Sequence, residues 1–222
     1  MKLKILDSGS QGNCAIIKDT QCNQLIIDCG IKYEKIAVEI NWDKPIYCLV
    51  SHTHSDHGLS IDKLKQCGIT VYSHPDFSQG KVINIDNAWV IVTLELPHDQ
   101  TTTSYSFLIY NTIEKKSIYF ATDCTELPRI ADKPYDLIMC ETNYDEETSR
   151  IQNVDNSNLG YLRHLSVEYV ASWLKCRQNH PKIFVASHLS NSGNISLKTL
   201  NTTLDGLCDK LFVAKKNLEI NF

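Results

Sequence analysis

Short apolar runs separated by polar turns dominate the chain. They are rich in Ile, Val, Leu, Tyr and Phe, and most of them end in Gly, Asp, Asn or Ser. Runs of this length and composition are typical of β-strands. The predicted strands, in chain order, are LKIL, CAIIK, QLIIDCG, IYCLVS, TVYS, KVINI, WVIVTLEL, YSFLIY, KSIYFATD, YDLIMCE and KIFVASH. Helices are expected only between them.

A second pattern, with apolar residues three and four positions apart, interrupts the strands. It predicts helices over Tyr33–Ile40, Ser60–Gln66, Val167–Arg177 and Leu197–Leu207. The third helix has the clearest signal, because Ser166 is placed as its N-cap. The polar stretch Thr142–His164 is predicted to be irregular, and long loops in compact domains are usually functional or mobile. We expect this stretch to fold over a pocket or to contact a partner subunit.

Composition narrows the class of protein. A chain of 222 residues can bury one sizeable core, and residues 1–222 are predicted to form a single domain. Lys and Arg total 22 against 26 Asp and Glu, and the net charge of -4 gives no general attraction for polyanions. The sequence shows no long apolar span and no signal-peptide pattern, and its nine cysteines form no C-x-x-C pair. We therefore expect a cytoplasmic protein with reduced thiols and no membrane partner.

The segment VSHTHSDHGLS crowds together His52, His54, Asp56 and His57. It ends the predicted strand Ile46–Ser51, and side chains two apart on a strand share a face, so His52 and His54 should point the same way. Two imidazoles on one face form half of a metal site. Asp56 and His57 can turn toward a second metal about 3.5–4 Å away. The alternative is a His-rich surface loop with adventitious metal affinity.

This motif resembles the His-x-His-x-Asp-His signature of the metallo-β-lactamase superfamily. The resemblance implies three further residues that each close an apolar strand, and the sequence supplies His98, Asp123 and His188. Asp28 in IIDCG matches an aspartate that supports the site in the superfamily. The segment DSGSQGNC resembles a subgroup of small cytosolic members, the WalJ (YycJ)-like proteins. Taken singly, the three downstream residues could be a turn histidine, a helix cap and a strand-end histidine.

The resemblance implies an α/β (α+β) fold, a four-layer αββα sandwich with a centre for two divalent metal ions at one edge. The implied ligands are His52, His54 and His98 for one metal, Asp56, His57 and His188 for the other, and Asp123 as a bridge. Imidazole and carboxylate ligands suit Zn²⁺, and they also accept Mn²⁺ or Fe²⁺. A hydroxide between the two metals would be the nucleophile at neutral pH.

Two further residues bear on the reaction class. In phosphodiesterase branches such as tRNase Z, a loop histidine supported by a glutamate is thought to protonate the leaving oxygen, and the resemblance gives these roles to His164 and Glu141. Asp56 is interpreted as a further catalytic residue. A carboxylate orients an imidazole and raises its pKa, so the pair makes a suitable general acid. The alternative is that His164 only enters the helix that begins at Val167 and that Glu141 is structural.

Four functions fit these residues to different degrees. The favoured one is a dimetal hydrolase that cleaves phosphodiester bonds, a small WalJ-like nuclease acting on DNA or RNA, although the acidic net charge argues against nucleic acid. A cyclic nucleotide phosphodiesterase, including phage-encoded kinds that degrade signalling nucleotides, needs only a compact pocket. A non-phosphate ester or lactone hydrolase would need no acid at His164. A protein that kept the scaffold only to bind or assemble would show a broken ligand set, and none is broken. Assembly of the hydrolase as a homodimer is compatible with the sequence.

Other polar residues carry weaker signals. Those interpreted as surface positions are His74, His180, Arg150 and Arg163. The alternative for the two arginines is contact with phosphate oxygens, which a guanidinium binds in pairs. Near the N-terminus, Ser8, Ser10 and Asn13 in SGSQGN have two interpretations: they reach the site, or they only form a turn.

Overall fold

The computed structural model describes residues 1–98, 102–152, 163–190 and 194–222. Its strands are β1 (Lys2–Asp7), β2 (Cys14–Lys18), β3 (Gln24–Ile27), β4 (Ile46–Leu49), β5 (Thr70–Tyr72), β6 (Val82–Ile85), β7 (Trp89–Leu96), β8 (Ser104–Asn111), β9 (Lys116–Ala121), β10 (Leu137–Glu141), β11 (Ile183–Ser187), β12 (Lys210–Val213) and β13 (Leu218–Asn221). Its helices are α1 (Tyr33–Ala37), α2 (Ser55–Gly58), α3 (Ile61–Gln66), α4 (Glu146–Gln152), α5 (Val167–Lys175) and α6 (Leu197–Leu204). Within these ranges no helix has the length and apolar composition to cross a bilayer.

The strands form two mixed sheets. The first has the order β13-β1-β2-β3-β4-β5, and the second has the order β12-β11-β10-β9-β8-β7-β6. In the first sheet β3, β4 and β5 are parallel, whereas β13, β1, β2 and β3 pair antiparallel. In the second sheet β9 to β12 are parallel and β6 to β9 antiparallel. Each sheet therefore contains one group of strands whose carboxyl ends lie at the same edge.

Three apolar cores define four layers. The central core joins the inner faces of the two sheets and includes Leu25 and Phe107. A second core packs α5 and α6 on the outer face of the second sheet through side chains such as Val170 and Leu200. A third packs α1 and α3 on the outer face of the first sheet, with Leu64 fully buried. Since burial of each such side chain stabilises the fold by about 1.5–3 kcal/mol, these contacts hold the layers together. The predicted αββα sandwich is confirmed.

The structure corrects several predicted boundaries. The stretch Thr142–His164 is not wholly irregular, because it contains α4, and Asp145 accepts a hydrogen bond from the backbone N–H of Thr148 in its first turn, at 2.7 Å. Residues 153–162 of that stretch lie outside the described residues. The predicted helix Leu197–Leu207 ends at Leu204, two residues before a glycine with φ of 72°.

Strands β12 and β13 were not predicted, and neither was α2. The side chains of β12 are exposed or half-buried, and only one side chain of β13 is buried. Each segment has only four residues, too few for the pattern of polar and apolar positions to be distinctive. Helix α2 has only four residues and lies inside the histidine motif itself.

Candidate metal centre

The candidate ligands lie where strands end. Asp28 follows β3, the histidine motif follows β4, Asp123 follows β9, and His188 follows β11. Because the carboxyl ends of parallel strands meet at one edge, residues that are distant in sequence are brought together. Glu141, the last residue of β10, lies at the same edge.

The motif changes direction through a short helix. His54 is the residue before α2, and its carbonyl accepts the N–H groups of His57 and Gly58 at 2.9 and 2.8 Å. This turn sends His52 and His54 to one side and Asp56 and His57 to the other. The prediction that the first two imidazoles point the same way agrees with the 3.1 Å between His52 Nε2 and His54 Nδ1.

The structure brings together the two predicted ligand sets. The first set consists of His52, His54 and His98, and the second set consists of Asp56, His57 and His188. With Asp123 added, each set offers one ligand atom per residue, and these atoms lie within 4.8 Å of one another. The ligand atoms of a third group also lie within 4.8 Å of one another, and this group consists of Asp123, Glu141, His164 and His188.

Asp123 lies between the two sets. Its Oδ2 is 3.4 Å from His52 Nε2 and 3.4 Å from His57 Nε2. Its Oδ1 is 3.2 Å from His188 Nε2. One carboxylate therefore faces both sets, as a bridging ligand must.

Buried hydrogen bonds orient the imidazoles from behind. Asp28 Oδ2 lies 2.8 Å from His57 Nδ1 and 3.1 Å from the hydroxyl of Ser51, which in turn lies 3.1 Å from His52 Nδ1. The backbone N–H of Ser51 donates to Asp28 Oδ1 at 2.7 Å. Partners of this kind fix the ring orientation and tautomer of a metal-binding histidine. Asp28 was predicted, whereas Ser51 was not.

Three of these residues adopt left-handed backbone conformations. The φ angles of Asp28, Asp123 and His188 are 57°, 47° and 51°. Such angles are uncommon outside glycine and persist only where surrounding contacts determine them. The three residues therefore owe their orientation to the tertiary structure and not to local preference.

Burial and neighbouring charges determine which ligand groups hold a proton. Burial, together with the neighbouring His57, lowers the pKa of His52 to about 2, so that imidazole is neutral. Burial opposes ionisation of Asp123, but His188 and His57 hold its pKa well below the usual range. Burial likewise opposes protonation of His188, yet Asp123 and Asp56 raise its pKa to about 10. A cation entering the second set must therefore displace a proton.

Glu141 and His164 form a buried pair beside Asp123. Glu141 Oε2 lies 3.0 Å from His164 Nδ1, while its Oε1 accepts the backbone N–H groups of Cys124 and Leu165 at 2.9 and 3.3 Å. Burial alone would lower the pKa of His164, but the hydrogen bond that its ring donates to Glu141 raises the pKa above the usual value. The side chain of His164 keeps 19% of its surface exposed, whereas that of Glu141 is fully buried.

The residues interpreted as surface positions lie elsewhere. His74 and Arg163 are exposed, and His180 is half-buried. Arg150 is exposed and pairs with Glu146 on α4 at 3.4 Å. No described contact brings any of these side chains to the two ligand sets.

The donor set suits divalent metal ions. Neutral imidazoles and ionised carboxylates are ligands of Zn²⁺, Mn²⁺ and Fe²⁺. In addition, Nε2 of His188 is buried and, although Asp123 Oδ1 lies 3.2 Å away, it makes no well-oriented hydrogen bond among the described residues. A buried polar atom normally has a partner, and a cation would supply one here.

Comparison with known proteins supports this interpretation at the level of the fold. No family model matches the sequence, and no curated protein matches it. The structure of the metallo-β-lactamase fold protein YhfI from Bacillus subtilis is similar, with a TM-score of 0.74 and 16% identity, over 99% of this chain and 98% of that chain. Zn²⁺-bound PqqB from Methylobacterium extorquens gives a TM-score of 0.72 and 11% identity, covering 100% of both chains. The short form of human tRNase Z gives 0.65 and 12%, covering 100% of this chain and 99% of that chain.

The chain therefore has the metallo-β-lactamase fold, as its motif predicted. The His/Asp cluster within this fold offers ligand groups that could hold metal ions. A fold hosts many activities, so the activity must be argued from the site.

Proposed function

We propose that this protein is a dimetal hydrolase that cleaves phosphodiester bonds, acting as a small nuclease on DNA or RNA. The observation that carries the proposal is the pairing of Glu141 with His164, 3.0 Å apart, beside the carboxylate that faces both ligand sets. Hydrolysis of a phosphodiester produces an alkoxide leaving group, which benefits from protonation. A lactone or β-lactam hydrolase would not need an acid at this position.

The ligand sets fit two divalent cations, with His52, His54 and His98 around one and Asp56, His57 and His188 around the other. Zn²⁺ is the ion that this donor set favours. When bound, such a pair of cations lowers the pKa of a water molecule to near 7 and polarises a phosphoryl oxygen.

The chain itself would supply the proton. The carboxylate of Glu141 is held in place by two backbone N–H groups and so fixes the position of Nδ1 of His164. With Nδ1–H of His164 held by Glu141, the proton on Nε2 is the one available to the leaving oxygen. The pKa of His164, which the hydrogen bond to Glu141 raises against the effect of burial, favours the protonated ring that a general acid needs. The partial exposure of the ring leaves it accessible to substrate.

The general-acid role is tested with the variant His164→Ala. We expect turnover of a dinucleotide phosphodiester, whose leaving group is an alkoxide, to fall by about 10²–10⁴-fold, the usual contribution of a positioned acid. The zinc content per chain, measured by elemental analysis, should stay unchanged. The matched control is His180→Ala, which removes an imidazole remote from the site and should leave both quantities unaltered. Unchanged turnover in His164→Ala would remove the reason for choosing phosphodiesters.

The substrate class is tested separately. Single-stranded DNA, RNA and cyclic mononucleotides are compared at equal concentrations with the metal-loaded protein. Faster cleavage of a polymer would support the nuclease proposal. Exclusive cleavage of cyclic mononucleotides would replace it with the smaller-substrate alternative, because the metal chemistry is the same for both.

A further inference from the structure

The loop between β1 and β2, residues 8–13, contacts the second ligand set directly. The sequence left two interpretations open for SGSQGN, a functional contact or only a turn. Ser8 and Asn13 each hydrogen-bond to residues of the second set, and they do so from opposite ends of the loop.

Ser8 fixes the backbone of His188. Its hydroxyl oxygen accepts the N–H of His188 at 2.9 Å, and the carbonyl of His188 accepts the side-chain N–H of Asn143 at 2.7 Å. His188 has a left-handed backbone, with φ of 51°. The two hydrogen bonds, one on each side of the residue, determine the direction in which its imidazole points.

Asn13 fixes the turn that carries Asp56 and His57. The carbonyl of Asp56 accepts the backbone N–H of Asn13 at 2.7 Å and its side-chain N–H at 3.2 Å. The side chain of Asn13 also donates to the carbonyl of Gly9 at 3.0 Å and accepts the N–H of Gly9 at 2.9 Å. This buried carboxamide therefore links its own loop to the backbone of the second set.

Asn13 Nδ2 also lies 2.9 Å from Nε2 of His57, the nitrogen that faces Asp123. Asn13 therefore contacts a ligand nitrogen of the second set as well as the backbone that carries that set.

The space around this contact leaves no room for adjustment. Gly30 donates its N–H to the carbonyl of Asn13 at 2.9 Å, and a Cβ atom on Gly30 would lie 1.7 Å from the carbonyl oxygen of Asp56. The loop, the segment at Gly30 and the turn at Asp56 are thus in direct backbone contact.

We infer that Ser8 and Asn13 are positioning residues that set the metal affinity of the second set, Asp56, His57 and His188, independently of the first. The inference rests on the proposed dimetal function. Loss of a hydrogen-bond partner of a metal ligand typically lowers metal affinity by about 10–100-fold. The effect should be confined to the set whose backbone the loop contacts.

Zn²⁺ binding to chelator-treated protein, measured by titration calorimetry, tests this inference in two backgrounds. His54→Ala disables the first set, so the remaining site reports on the second. His188→Ala does the reverse. In the His54→Ala background, Ser8→Ala and Asn13→Ala should each raise the Kd for Zn²⁺ by about tenfold or more. In the His188→Ala background, the same changes should alter the Kd by less than about twofold, because the hydrogen bonds of Ser8 and Asn13 described above go to residues of the second set.

Two controls separate positioning from folding. Ser8→Thr keeps the hydroxyl acceptor and should restore the affinity that Ser8→Ala loses. Gln11→Ala, an exposed position of the same loop, should leave the Kd unchanged in both backgrounds. If Asn13→Ala fails to fold by circular dichroism, the pair Ser8→Ala and Ser8→Thr decides the question.

The outcomes are distinguishable. If the wild-type chain binds two Zn²⁺ and the loop variants bind the second with unchanged Kd, the inference is overturned and the proposed function stands. Equal weakening in both backgrounds would also overturn it, because the loop would then act on the whole site. If the wild-type chain binds no Zn²⁺, the proposed function fails and the inference fails with it.

Discussion

Each ligand set takes two residues from one continuous motif, yet the protein supports the two sets differently. The second set is supported by segments distant in sequence, through Ser8, Asn13 and Asp28. In the first set, His54 is half-buried and its Nε2 lies 3.2 Å from the hydroxyl of Thr102. The comparison teaches that ligand spacing in the sequence does not determine how firmly a ligand is fixed. We expect the first set to exchange its metal more readily.

The largest effect is expected where the two sets meet. Asp123→Asn keeps the shape of the side chain but removes the charge that both sets share. Metal content should fall in both sets. Turnover should drop by more than about 100-fold, which is the largest loss usual when a hydrogen-bond partner of a metal ligand is removed. Elemental analysis and phosphodiester hydrolysis check this. Retention of two ions per chain would show that Asp123 is not the bridge.

Release of metal to a chelator compares the two sets directly. His54→Ala retains the second set, and His188→Ala retains the first. Zinc should leave His188→Ala about tenfold or more faster than it leaves His54→Ala, since Ser8 and Asn13 hold the backbone of the second set. Stopped-flow absorbance with a coloured chelator measures both rates. Equal rates would contradict the difference in support described above.

The pH profile of turnover tests the role of His164 as the general acid of the site. If His164 donates a proton, turnover must fall as pH rises through its pKa, and Glu141 raises that pKa. Glu141→Gln removes the negative charge, which lowers the pKa of His164, so the alkaline limb should move to lower pH. Turnover of wild type and variant is measured from pH 5 to 10. A limb that stays in place would assign the acid to another group.

The smallest effect is expected from Thr102. Thr102→Val removes the hydroxyl near His54 and keeps the side-chain shape, so zinc affinity of the first set should fall a few-fold while the second set is unchanged. Thr102→Ser, which keeps the hydroxyl, serves as the control. Titration in the His188→Ala and His54→Ala backgrounds measures the two sets separately. A change in the second set would show that the sets are not independent.

Much of this site could be predicted because its ligands close apolar strands. His98, Asp123 and His188 each end a recognisable run, and the superfamily resemblance assigned them before the structure placed them together. The sequence does not indicate residues whose role depends on contacts that form only in the folded chain. Ser51 and Asn143 act through hydrogen bonds to groups that only folding brings near, and serine and asparagine have no distinctive pattern in the sequence.

The fold shows the same division. Strands buried on both faces, such as β10 and β11, are continuous apolar runs and were predicted. The edge strands β12 and β13 mix polar and apolar residues, because they pack on fewer neighbours, and were missed. Helix α4 was missed because its sequence, EETSRIQ, offers few apolar positions to define a face.

The strand directions in the second sheet have a practical consequence. Since β7 runs toward His98 and β8 runs back from it, the turns between β6 and β7 and between β8 and β9 lie at the far rim of the sandwich. Asp86 and Lys115 adopt left-handed conformations in these turns, with φ of 46° and 55°. A fluorophore or affinity peptide inserted at either turn would label the molecule at the rim opposite its chemistry.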